Sequence, residues 1–346
     1  MEKITKPFFS VQWHITALCD QRCKHCYLFN SPDAEKEIIG SKTIDFAVLT
    51  AIADNIKFSC ERLDVIPRIF MTGGDPILSP YFWDLSEYLK SIGIRFGIMG
   101  NPFHITDEVA SRLHSLGVLD YQLSLDGLET MHDSFRKRGS FRATLTAADI
   151  LKRNGIEVGI MSTISKINAT DIPSLTRLAV DRGVASCTFA RYCPNSSDDF
   201  DLMFQPLEYR AFLEGMWEVY DALHDKGTRF PLKDHLWYLL LMEKRLFSPE
   251  STNGVVVAGC GMGVSHLTVL ADGSVYACRR FPSPIGKVPG QSFDELFLGE
   301  TMKRYRVPEN YSRCCQCELF TYCRGCSAVS HCMTGSWKSA DPQCWK

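Results

Sequence analysis

The sequence predicts an α/β fold: a parallel sheet of six strand–helix units followed by a small cysteine-rich C-terminal domain. Short apolar runs alternate with amphipathic stretches from residue 11 to about 195. Their spacing of roughly 30 residues is what a strand and its right-handed helical crossover need. Residues 205–248 then keep a helical period and lose the strand signal. From Cys260 onward the chain carries nine of its fifteen cysteines.

Strands are expected at 11–16, 68–72, 95–99, 121–125, 157–163 and 186–190, with helices at 44–58, 82–92, 107–116, 141–154 and 172–182 between them. An open doubly wound sheet and a partial barrel both satisfy this pattern, and both put their chemistry at the carboxyl ends of the strands. Helices at 207–226 and 235–247 follow, punctuated by Pro206, Pro231 and Pro249, and their aromatics read as core packing. Alternation around Asp272-Gly273 reads as a hairpin flanked by Cys260 and Cys278. Three segments are expected: a sheet domain at 1–200, a helical bridge at 201–255 and a cysteine-rich domain at 256–346.

Composition excludes several classes. A hydrophobic content of 45% with 23% charged residues belongs to a globular chain with a large core. A formal charge of −2 argues against a nucleic-acid footprint or an anionic membrane surface. No apolar run approaches the ~18 residues of a membrane span, and the first residues lack the apolar segment of a secretion signal. An odd number of cysteines gathered in groups suits metal sites in a reducing cytoplasm better than a secreted disulfide framework. Open clusters would further suggest an anaerobic setting.

The motif with most chemistry is Cys19-x3-Cys23-x2-Cys26, directly after the first strand. Three thiols on a short loop can wrap one face of an iron–sulfur cluster. They cannot close a tetrahedral zinc site or ligate every iron of a cubane, so one iron stays open. Gly73-Gly74-Asp75-Pro76 follows the second strand; two glycines admit close backbone approach, and the carboxylate can accept from an ammonium group. Asn101 follows the third strand and Ser124 ends the fourth. Arg136 comes soon after, with a fork suited to a carboxylate. Ser162 ends the fifth strand beside Thr163. His14 and His104 read as core or surface histidines.

The cysteine loop resembles the signature of the radical S-adenosylmethionine (SAM) enzymes, and the later segments resemble other motifs of that superfamily. The resemblance implies a partial (β/α)6 TIM-like barrel. It also implies a [4Fe–4S] cluster on Cys19, Cys23 and Cys26 whose open iron chelates SAM. Reduction would split SAM to a 5′-deoxyadenosyl radical that abstracts a hydrogen atom, with electrons from an external donor such as flavodoxin or ferredoxin. By the same resemblance His25 lies near the adenine, where an aromatic residue is usual. Gly73, Gly74, Asp75 and Pro76 hold the SAM amino group, with Asp75 in place of the usual Glu. Ser124 and Arg136 meet the ribose and carboxylate, and Asn101 and Ser162 add polar contacts.

The C-terminal cysteines resemble the SPASM extension of radical SAM enzymes that modify peptides and proteins. Twelve residues separate Cys260 from Gly273 and four separate Gly273 from Cys278, as in that pattern. The Cys323–Cys326 step has two intervening residues where three are usual. The resemblance implies a second auxiliary [4Fe–4S] cluster on Cys314, Cys317, Cys323 and Cys344, and a first on Cys260, Cys278 and Cys326. The fourth ligand of the first is either Cys332 or Cys315, or the iron stays open to take a substrate cysteine. Cys60 reads as a buried hydrophobe. Cys193, past the sixth strand, is a candidate hydrogen-atom donor to a substrate radical.

The implied substrate is a ribosomally made peptide or a protein side chain, with thioether crosslinking at cysteine favoured. Carbon–carbon crosslinking, epimerisation, formylglycine formation and small-molecule dehydrogenation are the alternatives. Only about ten residues precede the first strand, so a leader peptide is expected on the barrel, on a partner, or not at all. A non-catalytic iron–sulfur or zinc scaffold would need no SAM pocket, and the elements assigned to that pocket speak against it.

Overall fold

A computed structural model of the chain describes residues 6–30 and 34–346. Its first six strands are β1 (Phe8–Thr16), β2 (Ile66–Gly73), β3 (Arg95–Met99), β4 (Asp120–Ser124), β5 (Glu157–Ile164) and β6 (Ser186–Arg191). All pair in parallel, in the order β6-β5-β4-β3-β2-β1. Each strand adds beside the previous one. A doubly wound sheet would reverse direction midway, so this order selects the partial barrel.

The strands lie where they were expected because both faces are covered. Val11, Trp13 and Ile15 of β1 are buried, and so are His14 and Thr16 on the opposite face. Such strands read as continuous apolar runs. Helices α1 (Ala34–Thr43), α2 (Phe46–Arg62), α3 (Phe82–Ser91), α4 (Asp107–Ser115), α5 (Glu129–Phe135), α6 (Ser140–Arg153) and α7 (Ile172–Asp181) fill the crossovers. Leu49, Ile52 and Ile56 of α2, and Leu85 and Leu89 of α3, supply the matching apolar stripe.

One stop signal recurs. Helices α3, α4, α6 and α7 each end on a left-handed glycine followed by Ile or Val: Gly93-Ile94, Gly117-Val118, Gly155-Ile156 and Gly183-Val184. In each case the apolar residue's N–H returns to a carbonyl of the last turn, as in Ile156 to Leu151 (3.0 Å). This Schellman geometry closes the helix and sends the chain into the next strand. Helix α2 uses the same hydrogen bonds with Asp64 at φ 56° in the glycine's place.

The bridge contains α8 (Pro206–Leu223), opened by a Gln205/Glu208 capping box, and α9 (Trp237–Glu243). Helix α9 is shorter than its apolar pattern suggested. The aromatics of the two helices are core: Tyr209 and Tyr220 of α8 and Trp237 of α9 are buried, and Trp237 lies 5.9 Å from Phe189 of β6.

The hairpin β7 (His266–Val269) and β8 (Ser274–Tyr276) forms as expected, joined by a further strand β9 (Pro284–Lys287). Strand β7 pairs in parallel with β1, Ser10–Trp13 facing His266–Val269, so one nine-stranded sheet runs through the chain. Short helices α10 (Phe293–Leu298), α11 (Glu300–Lys303) and α12 (Ser327–Thr334) complete the C-terminal part. Phe297 packs edge-on to Phe9 of β1, with ring centroids 4.8 Å apart.

Candidate active site

The carboxyl ends of the six parallel strands open onto a cavity of about 660 Å³. Cys19, Cys23 and Cys26 line one end, together with His25, Gly73, Gly74, Asn101, Ser124 and Arg136. The structure therefore brings together most of the residues singled out in the sequence. Of those assigned to the SAM pocket, three fall outside the lining: Asp75, Pro76 and Ser162. Pro76 is buried at the start of a short 3₁₀ turn (Pro76–Leu78). Ser162 donates to the Leu125 carbonyl (2.5 Å), while its neighbour Thr163 reaches the cavity.

The two glycines lock the cysteine loop to β2. Gly74 N–H donates to Thr16 O (2.9 Å) and Asp75 N–H to Leu18 O (2.7 Å). A Cβ on Gly73 would stand 2.0 Å from Thr16 O, and one on Gly74 2.1 Å from Leu18 O. No larger residue permits that approach.

Asp75 stands one layer behind. Its Oδ1 accepts from Asn101 N–H (3.2 Å), its Oδ2 has no partner, and burial pushes its carboxyl up to about 7. Asn101 also donates through Nδ2 to Asp20 Oδ1 (2.7 Å) and to the Cys19 sulfur (3.3 Å). The Cys23 sulfur receives Arg136 Nη1 at 3.7 Å.

Arg136 is held by a residue not singled out in the sequence. Asp126, wholly buried, accepts from Arg136 Nε (2.5 Å) and Thr163 N–H (2.8 Å) and lies 3.4 Å from His25 Nε2. Burial alone would raise this carboxyl, but the Arg136 guanidinium overrides it and holds it at about 2. His25 is desolvated to about 4 and stays neutral. His132 Nδ1 accepts from Asp126 N–H (3.1 Å), which explains a histidine four residues before the arginine. The only sign of Asp126 in the sequence is its place inside Ser124-Leu-Asp-Gly.

The C-terminal part contributes Arg279, Arg280, His331 and Cys332 to the same lining, as the end of β6 contributes Cys193. The Arg279 guanidinium lies 4.9 Å over the Tyr27 ring, next to Cys26. Arg279 pairs with buried Glu37, which also holds His14 Nδ1 (2.8 Å), so His14 is a core residue. Burial would raise Glu37, yet His14 and Arg279 bring it below its ordinary range. Among the described residues, the charged groups lining the cavity are Arg136, Lys233, Arg279 and Arg280, all cationic.

The remaining cysteines fall into two groups. Cys314, Cys317, Cys323 and Cys344 lie close enough for their charges to act on one another. Cys278 faces Cys260 and Cys326 in the same way. Burial would push Cys260 up, but a hydrogen bond from His235 brings it down to about 7; nothing in the local sequence marks His235 for this. Cys60 is buried in the core, as expected.

Fold and site together define a barrel that gathers thiols in three places, a class suited to iron–sulfur chemistry. Comparison with known proteins narrows it. The radical SAM superfamily matches residues 13–179, and the SPASM iron–sulfur cluster-binding domain matches 260–327. An AdoMet-dependent heme synthase of Methanosarcina barkeri is 25% identical over 96% of this chain and 95% of its own. Mycofactocin maturase MftC of Mycobacterium tuberculosis is 28% identical over 96% of this chain and 81% of its own. The structure of Streptococcus suis SuiB bound to S-adenosylmethionine superposes with a TM-score of 0.74 at 16% identity, covering 99% of this chain and 78% of that one. The chain is a radical SAM enzyme with a C-terminal SPASM domain, and its cofactors are SAM and [4Fe–4S] clusters.

The residues present fit those groups. The loop sulfurs face the cavity and carry N–H donors from Asn101 and Arg136, which suits cluster thiolates. The side-chain-free backbone of Gly73 and Gly74, which line the cavity, suits a ligand seated against the loop. No helix among the described residues is long and apolar enough to cross a membrane.

Proposed function

We propose that this enzyme modifies a ribosomally made peptide or protein side chain, using the loop thiols to hold the SAM-cleaving cluster and the C-terminal thiols to hold two auxiliary clusters. The observation that carries the reading is the shared cavity. Cys19, Cys23 and Cys26 share its lining with Cys193 and Cys332, and its volume of about 660 Å³ leaves room for SAM and a substrate segment. When bound, the reduced cluster and SAM supply a hydrogen-abstracting radical. The protein would orient and enclose: Gly73 and Gly74 would hold the SAM amino group, Ser124 and Arg136 its ribose and carboxylate, and the barrel wall would exclude water. Relatives named as a mycofactocin maturase, and a structure of SuiB bound to precursor peptide SuiA, support a peptide substrate. Thioether formation through a cluster-bound substrate needs an auxiliary iron free to take that thiolate. Carbon–carbon crosslinking and other oxidations need only an electron carrier there.

A second reading is a tetrapyrrole substrate. It is supported by the heme synthase relatives and by four cationic side chains, Arg136, Lys233, Arg279 and Arg280, among the described lining residues, suited to a carboxylate-bearing molecule. Anaerobic turnover with SAM and reductant, offering either a short peptide encoded beside this gene or an iron–coproporphyrin, separates the two. Substrate-stimulated 5′-deoxyadenosine with a mass change in the peptide supports the first reading. Stimulation by the porphyrin alone overturns it in favour of the second.

A further inference from the structure

We propose that Cys193, at the carboxyl end of the barrel strand β6, is the fourth protein ligand of the first auxiliary cluster, joining Cys260, Cys278 and Cys326. The inference rests on the three-cysteine ligand set proposed above and completes it from the barrel rather than from the C-terminal domain.

Of the two thiols first considered for the vacancy, Cys315 is turned away; its Sγ donates to Ser312 O (2.9 Å). Cys332 and Cys193 both line the cavity, and the Cys193 sulfur lies within hydrogen-bonding reach of both Cys326 and Cys332. Anchoring separates the two. Cys193 and Cys326 pack on the same small apolar group, Tyr192, Met203 and Val329. Two residues before Cys193, the buried Arg191 guanidinium holds Asp341 through Nη1 (2.8 Å) and Nη2 (2.7 Å). The Asp341 carboxylate in turn accepts from Cys326 N–H (2.8 Å). One buried ion pair therefore fixes the backbones of Cys193 and Cys326 relative to each other, which is the preorganisation a shared metal group requires. Cys332 sits six residues further along, near the end of α12, with no such tie. Arg280 places one cationic charge against Cys193, Cys326 and Cys278, and against Cys332 as well. It favours thiolates here without separating the two candidates, which the Arg191–Asp341 tie does.

Two consequences follow. A thiolate bound to iron has no S–H, so Cys193 is not the hydrogen-atom donor. A cluster with four protein thiolates offers no iron to a substrate cysteine, so it serves as an electron carrier, and thioether formation through a cluster-bound substrate loses its support.

The test compares the full chain, anaerobically reconstituted, with its Cys193→Ala, Cys332→Ala and Cys278→Ala variants by iron and sulfide analysis, Mössbauer spectroscopy and EPR. Wild type is expected to hold about twelve irons per chain. Cys193→Ala and Cys278→Ala should each lose between about one and four of them and show a three-iron signal or none from that cluster, while Cys332→Ala matches wild type. Wild-type iron and spectra in Cys193→Ala, or loss in Cys332→Ala in its place, overturns the proposal. If Cys278→Ala also keeps all its iron, the ligand set itself is at fault rather than the part given to Cys193. Should the variants unfold by circular dichroism, wild type alone still decides. Adding a cysteine peptide leaves the auxiliary EPR signals unchanged if Cys193 closes the cluster, and a shift contradicts it.

Discussion

At the scale of single residues, the cavity depends on buried polar groups that are paired before any ligand arrives. Arg136 is held by Asp126 inside the protein (13% and 0% side-chain exposure), where losing one partner strands the other. Arg136→Ala is expected to cost about 3–5 kcal/mol, measured by chemical denaturation; Arg136→Lys retains charge and recovers part of it. Asn101 donates to the Cys19 sulfur, and such donors raise a cluster's reduction potential. Asn101→Ala should move the potential of the SAM-binding cluster negative in an EPR-monitored titration, leaving the auxiliary signals in place. His266, the first residue of β7, provides a pH handle. Burial drops it from 6.5 to about 4, so the unfolded chain takes up this proton first as pH falls. Its contribution is complete above pH 6.5 and is lost as pH falls toward 4. Replacing it with Gln should flatten the stability–pH slope across that window, and an unchanged slope would show that His266 is not desolvated.

At the scale of elements, the repeated glycine stop makes a prediction where the repeat lapses. Asp64 occupies the left-handed position with φ 56° and is exposed, paired only with Lys6 at the surface. Asp64→Gly should stabilise by about 0.5–1 kcal/mol, and Gly155→Ala, whose new Cβ would also stand 3.0 Å from the His114 ring, should destabilise. Opposite shifts of the two denaturation midpoints are the expected result. The same elements show why so much of the barrel was legible. Strands covered on both faces give unbroken apolar runs, and their expected ends fall within three residues of the observed ones. Strand β9 was not legible, because it is four residues long and begins with proline. Helix α9 was overread because an apolar run continues past the point where Arg245 takes a positive φ.

At the scale of the whole molecule, the C-terminal part is fastened to the barrel twice. Strand β7 extends the sheet at β1, and Arg191 binds Asp234, Asp341 and Gln343 at the opposite edge, beside β6. Arg191→Ala strands two buried carboxylates and should cost about 3–5 kcal/mol, with loss of auxiliary iron exceeding any loss from the Cys19 loop. Neither fastening could be read from the sequence, since β1 with β7, and Arg191 with Asp341 and Gln343, join residues more than a hundred positions apart. The cysteine loop and the glycine pair could be read because their chemistry is written in local spacing. Asp126, His235 and Glu37 could not, because what sets them apart is the charged partner that folding places beside each.

The central claim is that the three loop thiols hold a cluster whose open iron takes SAM. The most direct measurement is 5′-deoxyadenosine released from SAM by the reduced, anaerobically reconstituted protein, alongside a Cys23→Ala variant that keeps its auxiliary iron. Release by wild type and none by the variant is the expected result. Equal release by both, or none by a fully metallated wild type, would contradict the account.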